Sequence, residues 1–236
     1  MYLSKLTLNL KSRTVQNDLA DCQSLHRRLM AAFPQAPVDA NAREYFGVLY
    51  RLDFDRGEEP LLVQSRVEPD WSRLPGDYVY GALPKIKDLT EAYSVLAAGQ
   101  VLTFRLRANV TKKINTKSGP DGKRRHGARV EVWDEERRLE WLTRKGAAAG
   151  FDILIARVNG GRQYPMVRAN PGGKVWGKKK TRAEQAEGKG RITFGGVVFE
   201  GALRISDPAR FREAVAAGIG PAKAYGFGLL SVAPAR

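Results

Sequence analysis

The order of strand and helix signals occurs twice along the chain, and this repetition restricts the fold more than any other feature. MYLSKLTLNL has the alternating pattern of a strand, and a helix, two strands, a short helix and the strand QVLTFRLRANV follow it. From ARVEVW onward the same order approximately returns, and it ends at the closing strand YGFGLLSVAP. The sequence therefore predicts an α+β protein of two βαββαβ units, each an antiparallel sheet with helices on one face.

The repeated order also predicts where the chain divides. Residues 1–110 form the first unit, which includes the helix that carries His26. Residues 111–127 form a basic linker, and residues 128–236 form the second unit with a basic loop and a glycine-rich loop. A chain of 236 residues is long enough for each unit to bury a core of its own.

The chain is strongly basic, and this balance indicates a polyanionic partner. Forty Lys and Arg residues against 25 Asp and Glu residues give a net charge of +15 and a sequence pI near 10.1. Such an excess is typical of proteins that bind nucleic acid or an anionic membrane surface. No apolar run approaches the ~20 residues of a membrane span, and MYLSKLTLNL has the pattern of a strand rather than of a secretory signal. We therefore expect a soluble, cytoplasmic protein.

The residues that usually hold metal ions do not form a pattern in this sequence. Cys22 is the single cysteine, which excludes an internal disulfide, and no Cys/His cluster has the spacing of a zinc site. The carboxylates of DFD and DEE lack convincing partners for a two-metal site, and DEE fits the start of a helix better. Neither a metal nor a cofactor is expected.

Two segments are much more basic than the rest of the chain. RANVTKKINTKSGPDGKRRHGAR has eight Lys and Arg residues against the single acid Asp121, and PGGKVWGKKKTRAEQAEGKGR has seven against Glu184 and Glu187. Either segment alone fits a solvated surface loop, but two of them on a basic chain favour phosphate binding. Trp176 fits two roles, stacking on a base or anchoring its loop.

The segment DLADCQSLHRRLMAAFP contains His26, one of two histidines in the chain. Asp21 is a suitable N-cap for a helix that runs to about Phe33, where Pro34 ends it. Helical spacing places Cys22, Leu25 and Leu29 toward the core and His26 at the edge of the buried face. From this pattern alone, His26 is either a catalyst or an ordinary half-buried polar residue.

The C-terminal stretch GIGPAKAYGFGLLSVAP is rich in glycine. Gly218, Gly220, Gly226 and Gly228 surround Lys223, and glycines allow backbone N–H groups to approach a phosphate closely. The stretch is neither a Walker loop nor a dinucleotide fingerprint, because it lacks the GK[ST] ending and runs from a helix into a strand. Taken alone, such a turn is more often structural than functional.

Four stretches together resemble the CasE family, also called Cse3, of CRISPR-associated endoribonucleases from type I-E systems, within the repeat-associated RNA-processing superfamily. They are the opening strand MYLSKLTLN, LHRRLM, VEPDW and the glycine-rich ending, and the resemblance follows the chain in order from residue 1 to residue 234. It implies tandem ferredoxin-like, RRM-like domains, which agrees with two βαββαβ units.

The resemblance also implies an activity in antiviral defence. Members of the family bind the repeat stem-loop of precursor CRISPR RNA and cut it at the 3′ base of the stem without a metal ion. The ribose 2′-OH attacks the adjacent phosphate and leaves a 2′,3′-cyclic phosphate and a 5′-OH. The processed RNA stays bound in the Cascade complex. The implied partners are therefore the repeat RNA hairpin and Cascade subunits, and the free protein is expected to be a monomer.

The resemblance assigns roles to residues of this chain. The catalytic histidine of the family lies at the position of His26, and a side chain with a reference pKa of about 6.5 suits proton transfer near neutral pH. Many members carry a tyrosine one turn earlier, where this chain has Gln23, which can position the substrate but cannot transfer a proton. The general base therefore stays open. Arg27, Arg28 and Lys223 are candidates for stabilising charge on the phosphorane.

Two other functions stay open at this point. A non-catalytic RNA-binding subunit of the same fold would keep the basic surface without cutting RNA. A basic protein that binds membranes or DNA nonspecifically would lose affinity steeply with salt. The residues expected to bind RNA are Arg27, Lys178, Lys179, Lys180, Arg182, Gly218, Gly220, Lys223, Gly226 and Gly228.

Overall fold

The structure is a computed structural model, and it describes residues 1–53, 60–113, 129–157, 160–178 and 191–235. Helices alternate with antiparallel sheets along these residues, so the predicted α+β class is confirmed. No helix in the described part of the chain is long and apolar enough to span a membrane.

The first part of the chain forms a four-stranded antiparallel sheet covered by helices. Its strands are β1 (Tyr2–Thr7), β2 (Leu49–Leu52), β3 (Pro60–Ser65) and β4 (Ile86–Asp88), and they lie side by side in the order β2, β3, β1, β4. Its helices are α1 (Arg13–Ala20), α2 (Cys22–Met30), α3 (Ala42–Tyr45) and the 3₁₀ helix η1 (Trp71–Arg73). Leu25 and Leu29 of α2 share a hydrophobic cluster with Leu6, Leu61 and Val63 of the sheet, so α2 packs on the buried face.

The short helix α4 (Thr90–Ser94) leads to the second sheet. The strands that follow are β5 (Val101–Ala108), β6 (Thr111–Lys113), β7 (Arg129–Glu131), β8 (Phe151–Ile153), β9 (Ile155–Arg157), β10 (Gln163–Pro165), β11 (Val167–Lys178), β12 (Arg191–Ile205) and β13 (Leu230–Pro234). The helices are α5 (Glu135–Ala148), α6 (Pro208–Ala217) and the 3₁₀ helix η2 (Lys223–Tyr225). The sheet has the order β11, β12, β5, β13, with β8 paired to β12, while β6–β7 and β9–β10 form separate two-stranded ribbons.

The two sheets have the same internal order. When the four main strands of each sheet are numbered from first to fourth along the chain, they lie side by side in the order second, third, first, fourth in both sheets. This is the ferredoxin-like arrangement of a βαββαβ unit. The predicted duplication is therefore present, with β1–β4 in the first unit and β5–β13 in the second.

The predicted division of the chain at residue 110 is wrong by one strand. Val101–Ala108, expected to close the first unit, pairs with β12 and β13 in the second sheet. The first sheet is closed instead by β4, which pairs with β1. ARVEVW, expected to open the second unit, supplies only the short β7 of the β6–β7 ribbon. β5 is eight residues long and buries Leu102, Phe104 and Leu106. A strand of this length and burial fits the centre of a sheet, where it has a partner on each side.

The helices that precede the first sheet's second strand are capped by polar side chains. α1 begins after Ser12, whose hydroxyl accepts a hydrogen bond from the N–H of Val15 and starts the helix. Asp21 caps α2 as predicted, with its carboxylate accepting from the N–H of Gln23 at 3.0 Å. α2 ends at Met30, earlier than expected, although Phe33 is buried as predicted.

A buried arginine connects the two sheets. Arg51 of β2 is 3% exposed, and its guanidinium forms two hydrogen bonds with the carboxylate of Asp53, at 2.8 and 3.1 Å. Its remaining Nη1 donates to the Ser231 hydroxyl of β13 at 2.9 Å and to the carbonyl oxygens of Leu229 and Arg105 at 3.4 and 3.3 Å. Gln64 of β3 adds a second buried link, since its Nε2 donates to a carbonyl of α6 at 2.8 Å. These bonds fix the two units relative to each other.

Candidate active site

His26 lies where the two units meet. Leu25 and Leu29 are buried in the first core, which places the neighbouring His26 at the edge of that core, half-buried, as the helical spacing predicts. Its ring faces Tyr225 of η2, with ring centroids 6.3 Å apart and planes at 75°. One unit therefore supplies the imidazole and the other unit supplies the phenol.

Both sheets hold Tyr225 in place. Its ring stacks on Phe194 of β12, with centroids 4.9 Å apart and planes at 24°. The adjacent Ala224 carbonyl accepts a hydrogen bond at 3.1 Å from the hydroxyl of Tyr50, a residue of β2. The position of Tyr225 opposite His26 is thus determined by contacts with a strand of each unit.

The glycine-rich segment, residues 218–228, is shaped by contacts that leave little room for side chains. Gly218, Gly220, Gly226 and Gly228 all have positive φ, from 79° to 90°. A Cβ atom on Gly218 would lie 2.7 Å from a methyl carbon of Leu49, and one on Gly228 would lie 2.9 Å from the carbonyl oxygen of Ile219. The N–H groups of Ile219 and Gly228 are already bonded, to the carbonyls of Gly228 and Arg107. These glycines therefore have a structural role, and backbone contact with RNA stays a prediction.

Charged groups around His26 lower its affinity for a proton. Burial lowers the pKa of the His26 imidazole, and the positive charge of Arg43 in α3 lowers it further. Burial also lowers the pKa of Lys223, and the charges of Arg43 and Lys145 add to this effect. Burial raises the pKa of the Tyr225 phenol, with Cys22 and Asp21 contributing. The lowered pKa favours the neutral imidazole of His26 at pH 7, and the raised pKa favours the protonated phenol of Tyr225.

Replacing Arg43 by glutamine is expected to raise the pKa of His26. The substitution removes a positive charge that disfavours the imidazolium, so the proton is held more strongly. The change can be followed by NMR titration of the imidazole signals in the free protein, with His26→Ala identifying the resonance. Lys87→Gln on β4 removes an equal charge elsewhere and serves as the control. An unchanged or lower pKa in Arg43→Gln would contradict the role given to Arg43.

The other predicted residues of α2 lie on different sides of the helix. Arg27 is exposed, and its guanidinium is bonded to the helix itself, through the Ser24 hydroxyl at 3.0 Å and the Gln23 carbonyl at 3.3 Å. Gln23 is half-buried in the first turn. Arg28 pairs through its Nε with the buried Asp18 at 2.9 Å, and its proposed contact with a phosphorane stays a prediction.

Lys178 approaches the same helix from β11. Its backbone N–H donates to the Asp21 carboxylate at 3.4 Å. A Cβ atom on the preceding Gly177 would lie 2.8 Å from Cys22 Sγ, so the strand and the helix are in close contact there. Trp176 is 39% exposed and packs against the guanidinium of Arg191, whose central carbon is 3.9 Å from the ring centroid, which supports an anchoring role. Lys179, Lys180, Arg182 and His126 lie outside the described residues.

Two residues near His26 were missed by the sequence reasoning. Tyr225 lies inside the glycine-rich segment, and only the fold shows that it faces α2. Arg43 lies in the short helix α3, which is capped by Asn41. Within the described ranges, no three His, Cys, Asp or Glu side chains are grouped to hold a metal ion.

Comparison with known proteins places this arrangement in a family. The model of a CRISPR-associated protein family matches residues 1–234. The CRISPR-associated endoribonuclease Cse3 of Thermus thermophilus is 36% identical over 99% of this chain and all of its own length. The Cascade subunit CasE of Escherichia coli is 32% identical, with the same coverage. A solved structure of the endoribonuclease Cse3 bound to a 19-nucleotide RNA has 35% identity and a TM-score of 0.76, covering 99% of this chain and 100% of that one.

The similarity extends over the whole length of both curated relatives. The chain belongs to the CasE (Cse3) family of CRISPR-associated proteins.

Proposed function

We propose that this protein is the endoribonuclease that processes CRISPR precursor RNA, binding the repeat stem-loop and cutting at the 3′ base of the stem. The observation that carries the proposal is the placement of His26 against Tyr225, with Arg43 close enough to lower the pKa of both His26 and Lys223. An acid, a phenol donor and two cations are thus gathered at the junction of the units. The relatives named above include an endoribonuclease and a Cascade subunit, which supports the same function.

The proposed reaction needs two proton transfers and no metal ion. The ribose 2′-OH loses its proton and attacks the adjacent phosphorus, while the bond from phosphorus to the 5′-oxygen breaks. His26 in its protonated form gives its proton to that leaving oxygen, so the products are a 2′,3′-cyclic phosphate and a 5′-OH. The base that accepts the 2′-OH proton is left unassigned, with water as one acceptor, since Gln23 cannot take the proton.

The bound RNA itself would prepare His26 for this role. The pKa of His26 is low in the free protein, so little of the imidazole is protonated at pH 7. An anionic phosphate next to the ring favours the charged form and offsets the effect of Arg43. Protonation of the acid is therefore coupled to binding of the scissile phosphate. Lys223 and the Tyr225 hydroxyl would stabilise the negative charge that develops on the phosphorane oxygens.

The remaining predicted contacts would hold the stem and keep the product. Lys178 is the last residue of β11, and Lys179, Lys180 and Arg182 come after it in the sequence. We assign these four residues to phosphates of the stem. Arg27 on the exposed side of α2 is assigned to the RNA as well. The cleaved RNA would stay bound, and the complex would join Cascade subunits.

Cleavage of the repeat hairpin is expected to proceed in EDTA and to yield a 2′,3′-cyclic phosphate. The RNA is the stem-loop of the CRISPR repeat encoded beside the gene, and the ends are identified by phosphatase treatment and mass spectrometry. A hairpin with a single 2′-deoxy nucleotide before the scissile phosphate is the control, and it should bind equally well but stay uncut. Loss of cleavage in EDTA would refute the metal-free mechanism. Binding of the hairpin without any cleavage would favour the non-catalytic RNA-binding subunit.

A further inference from the structure

Almost all of the charged residues that line a groove next to the active site are cations. It lies between α5, the end of α6, the β6–β7 ribbon and the glycine-rich segment, with a volume of about 820 Å³. We call it the basic groove. Its walls include Lys112, Lys113, Arg129, Arg144, Lys145 and Arg210, and Lys223 lies at the end near the active site. Glu213 is the one carboxylate among the described lining residues.

The cations that line the basic groove repel one another in the free protein. Of the lining cations, Arg210 is paired with a carboxylate, that of Asp207, at 3.4 Å. Burial lowers the pKa of Lys223, and the positive charges of Arg43 in the active site and Lys145 in the groove lower it further. Repulsion between like charges disfavours this arrangement until a polyanion neutralises it. Lys223 also connects the groove with the active site, since η2 contains both Lys223 and Tyr225.

The shape and lining of the groove favour a single strand bound through its phosphates. Its volume is within the roughly 300–1,000 Å³ of sites that hold small ligands, which accommodates a few nucleotides but not a duplex. Trp141 is the aromatic residue of the described lining, and it is 5% exposed and stacked on Phe199. It therefore offers no free face on which a base could stack, and the lining can bind the strand through its phosphates.

We propose that the basic groove binds the single-stranded RNA on the 3′ side of the scissile phosphate. This inference rests on the proposed function. A cut at the 3′ base of the stem leaves the paired nucleotides on the 5′ side of the scissile phosphate, so the strand that continues directly from that phosphate is the unpaired 3′ flank. With the scissile phosphate between His26 and Lys223, the flank enters the groove at Lys223 and runs toward Arg144 and Lys112. The contacts are to phosphates, so the flank is bound regardless of its sequence.

The experiment compares affinities for three uncleavable hairpins that carry the single 2′-deoxy substitution. One ends a single nucleotide beyond the scissile phosphate and is called the flankless hairpin, one has eight uridines on the 3′ side and one has eight uridines on the 5′ side. The 3′ flank is expected to strengthen binding by the wild type about tenfold, since each exposed ion pair contributes about twofold to fivefold. In the double variant Lys112→Ala/Arg144→Ala most of this gain is lost. The salt dependence of binding to the 3′-flanked hairpin also weakens, by about 1.4 in the slope of log K against log salt.

The matched control is Lys85→Ala/Lys87→Ala, which removes the same charge at β4 and should keep the full gain. The groove double variant should bind the flankless hairpin like the wild type, and it should cut the ribose form of that hairpin, which keeps the 2′-OH, at the wild-type rate. The inference is overturned if the 3′ flank gives no gain, if the 5′ flank gives an equal groove-dependent gain, or if the double variant keeps the gain. Weaker binding of the flankless hairpin by the double variant would place the stem in the groove instead. Failure of the proposed function looks different, because the wild type would then neither bind the flankless hairpin nor cut its ribose form.

Discussion

His26→Ala is expected to reduce the single-turnover cleavage rate of the repeat hairpin by about 100- to 10,000-fold, the usual contribution of a positioned general acid. The leaving 5′-oxygen would have to depart as an alkoxide or take a proton from water. Hairpin affinity should stay within a few-fold of the wild type, because His26 contributes one half-buried ring to a large basic surface. Cleavage is measured with enzyme in excess over a labelled hairpin, and affinity is measured with the 2′-deoxy hairpin.

A neighbouring substitution on the same helix controls for damage to α2. Gln23→Ala lies one turn before His26 and removes a side chain that cannot transfer a proton, so its rate should fall by less than about tenfold. Free imidazole should partly restore cleavage by His26→Ala, because a small acid can enter the space left by the ring. Equal rates for His26→Ala and the wild type would refute the assignment of His26 as the acid.

Arg51→Ala is expected to lower the free energy of unfolding by about 3 kcal/mol, at the lower end of the range for breaking a buried ion pair. The substitution leaves the carboxylate of Asp53 in a buried site, with Arg105 at 3.7 Å as a weaker remaining partner. It also removes the donors that reach Ser231 and the Leu229 carbonyl across the two sheets. Urea unfolding at pH 7, followed by tryptophan fluorescence, gives the value.

An exposed ion pair provides the comparison for this measurement. Arg210 pairs with Asp207 at 3.4 Å, but its side chain is 67% exposed, so Arg210→Ala should cost about 0–1 kcal/mol. Similar losses in the two variants would mean that burial adds nothing to the contribution of Arg51. In that case the connection between the sheets would depend on other contacts, such as the bond from Gln64 to α6.

The parts of the fold that follow local patterns were predictable from the sequence. The Asp21 cap, the buried Leu25 and Leu29 and the half-buried His26 all follow from helical spacing, and the structure confirms them. The assignment of β5 was wrong, because alternation in Val101–Ala108 identifies a strand but not its partners. The partners of β5 are β12 and β13, which lie far along the chain. The pairing therefore depends on residues that are distant in the sequence.

Some residues of the candidate site could be predicted from the sequence, but the contacts between them could not. His26 and the glycine-rich segment could be singled out by residue type and by resemblance. Tyr225 could not be matched with His26, because the contact joins residues from the two ends of the chain. Arg43 has no sequence signal, since its effect on the pKa of His26 depends on where the short α3 lies.

Placing His26 on one unit and Tyr225 on the other has a consequence for how such enzymes diverge. Tyr50 holds Ala224 and so positions the neighbouring Tyr225, while Phe194 supports the same ring from the second sheet. A substitution at any of these positions alters the surroundings of His26 without changing the helix that carries it. Neither half of the gene can therefore be exchanged with that of a distant relative as an independent module. The two halves must be inherited as a matched pair.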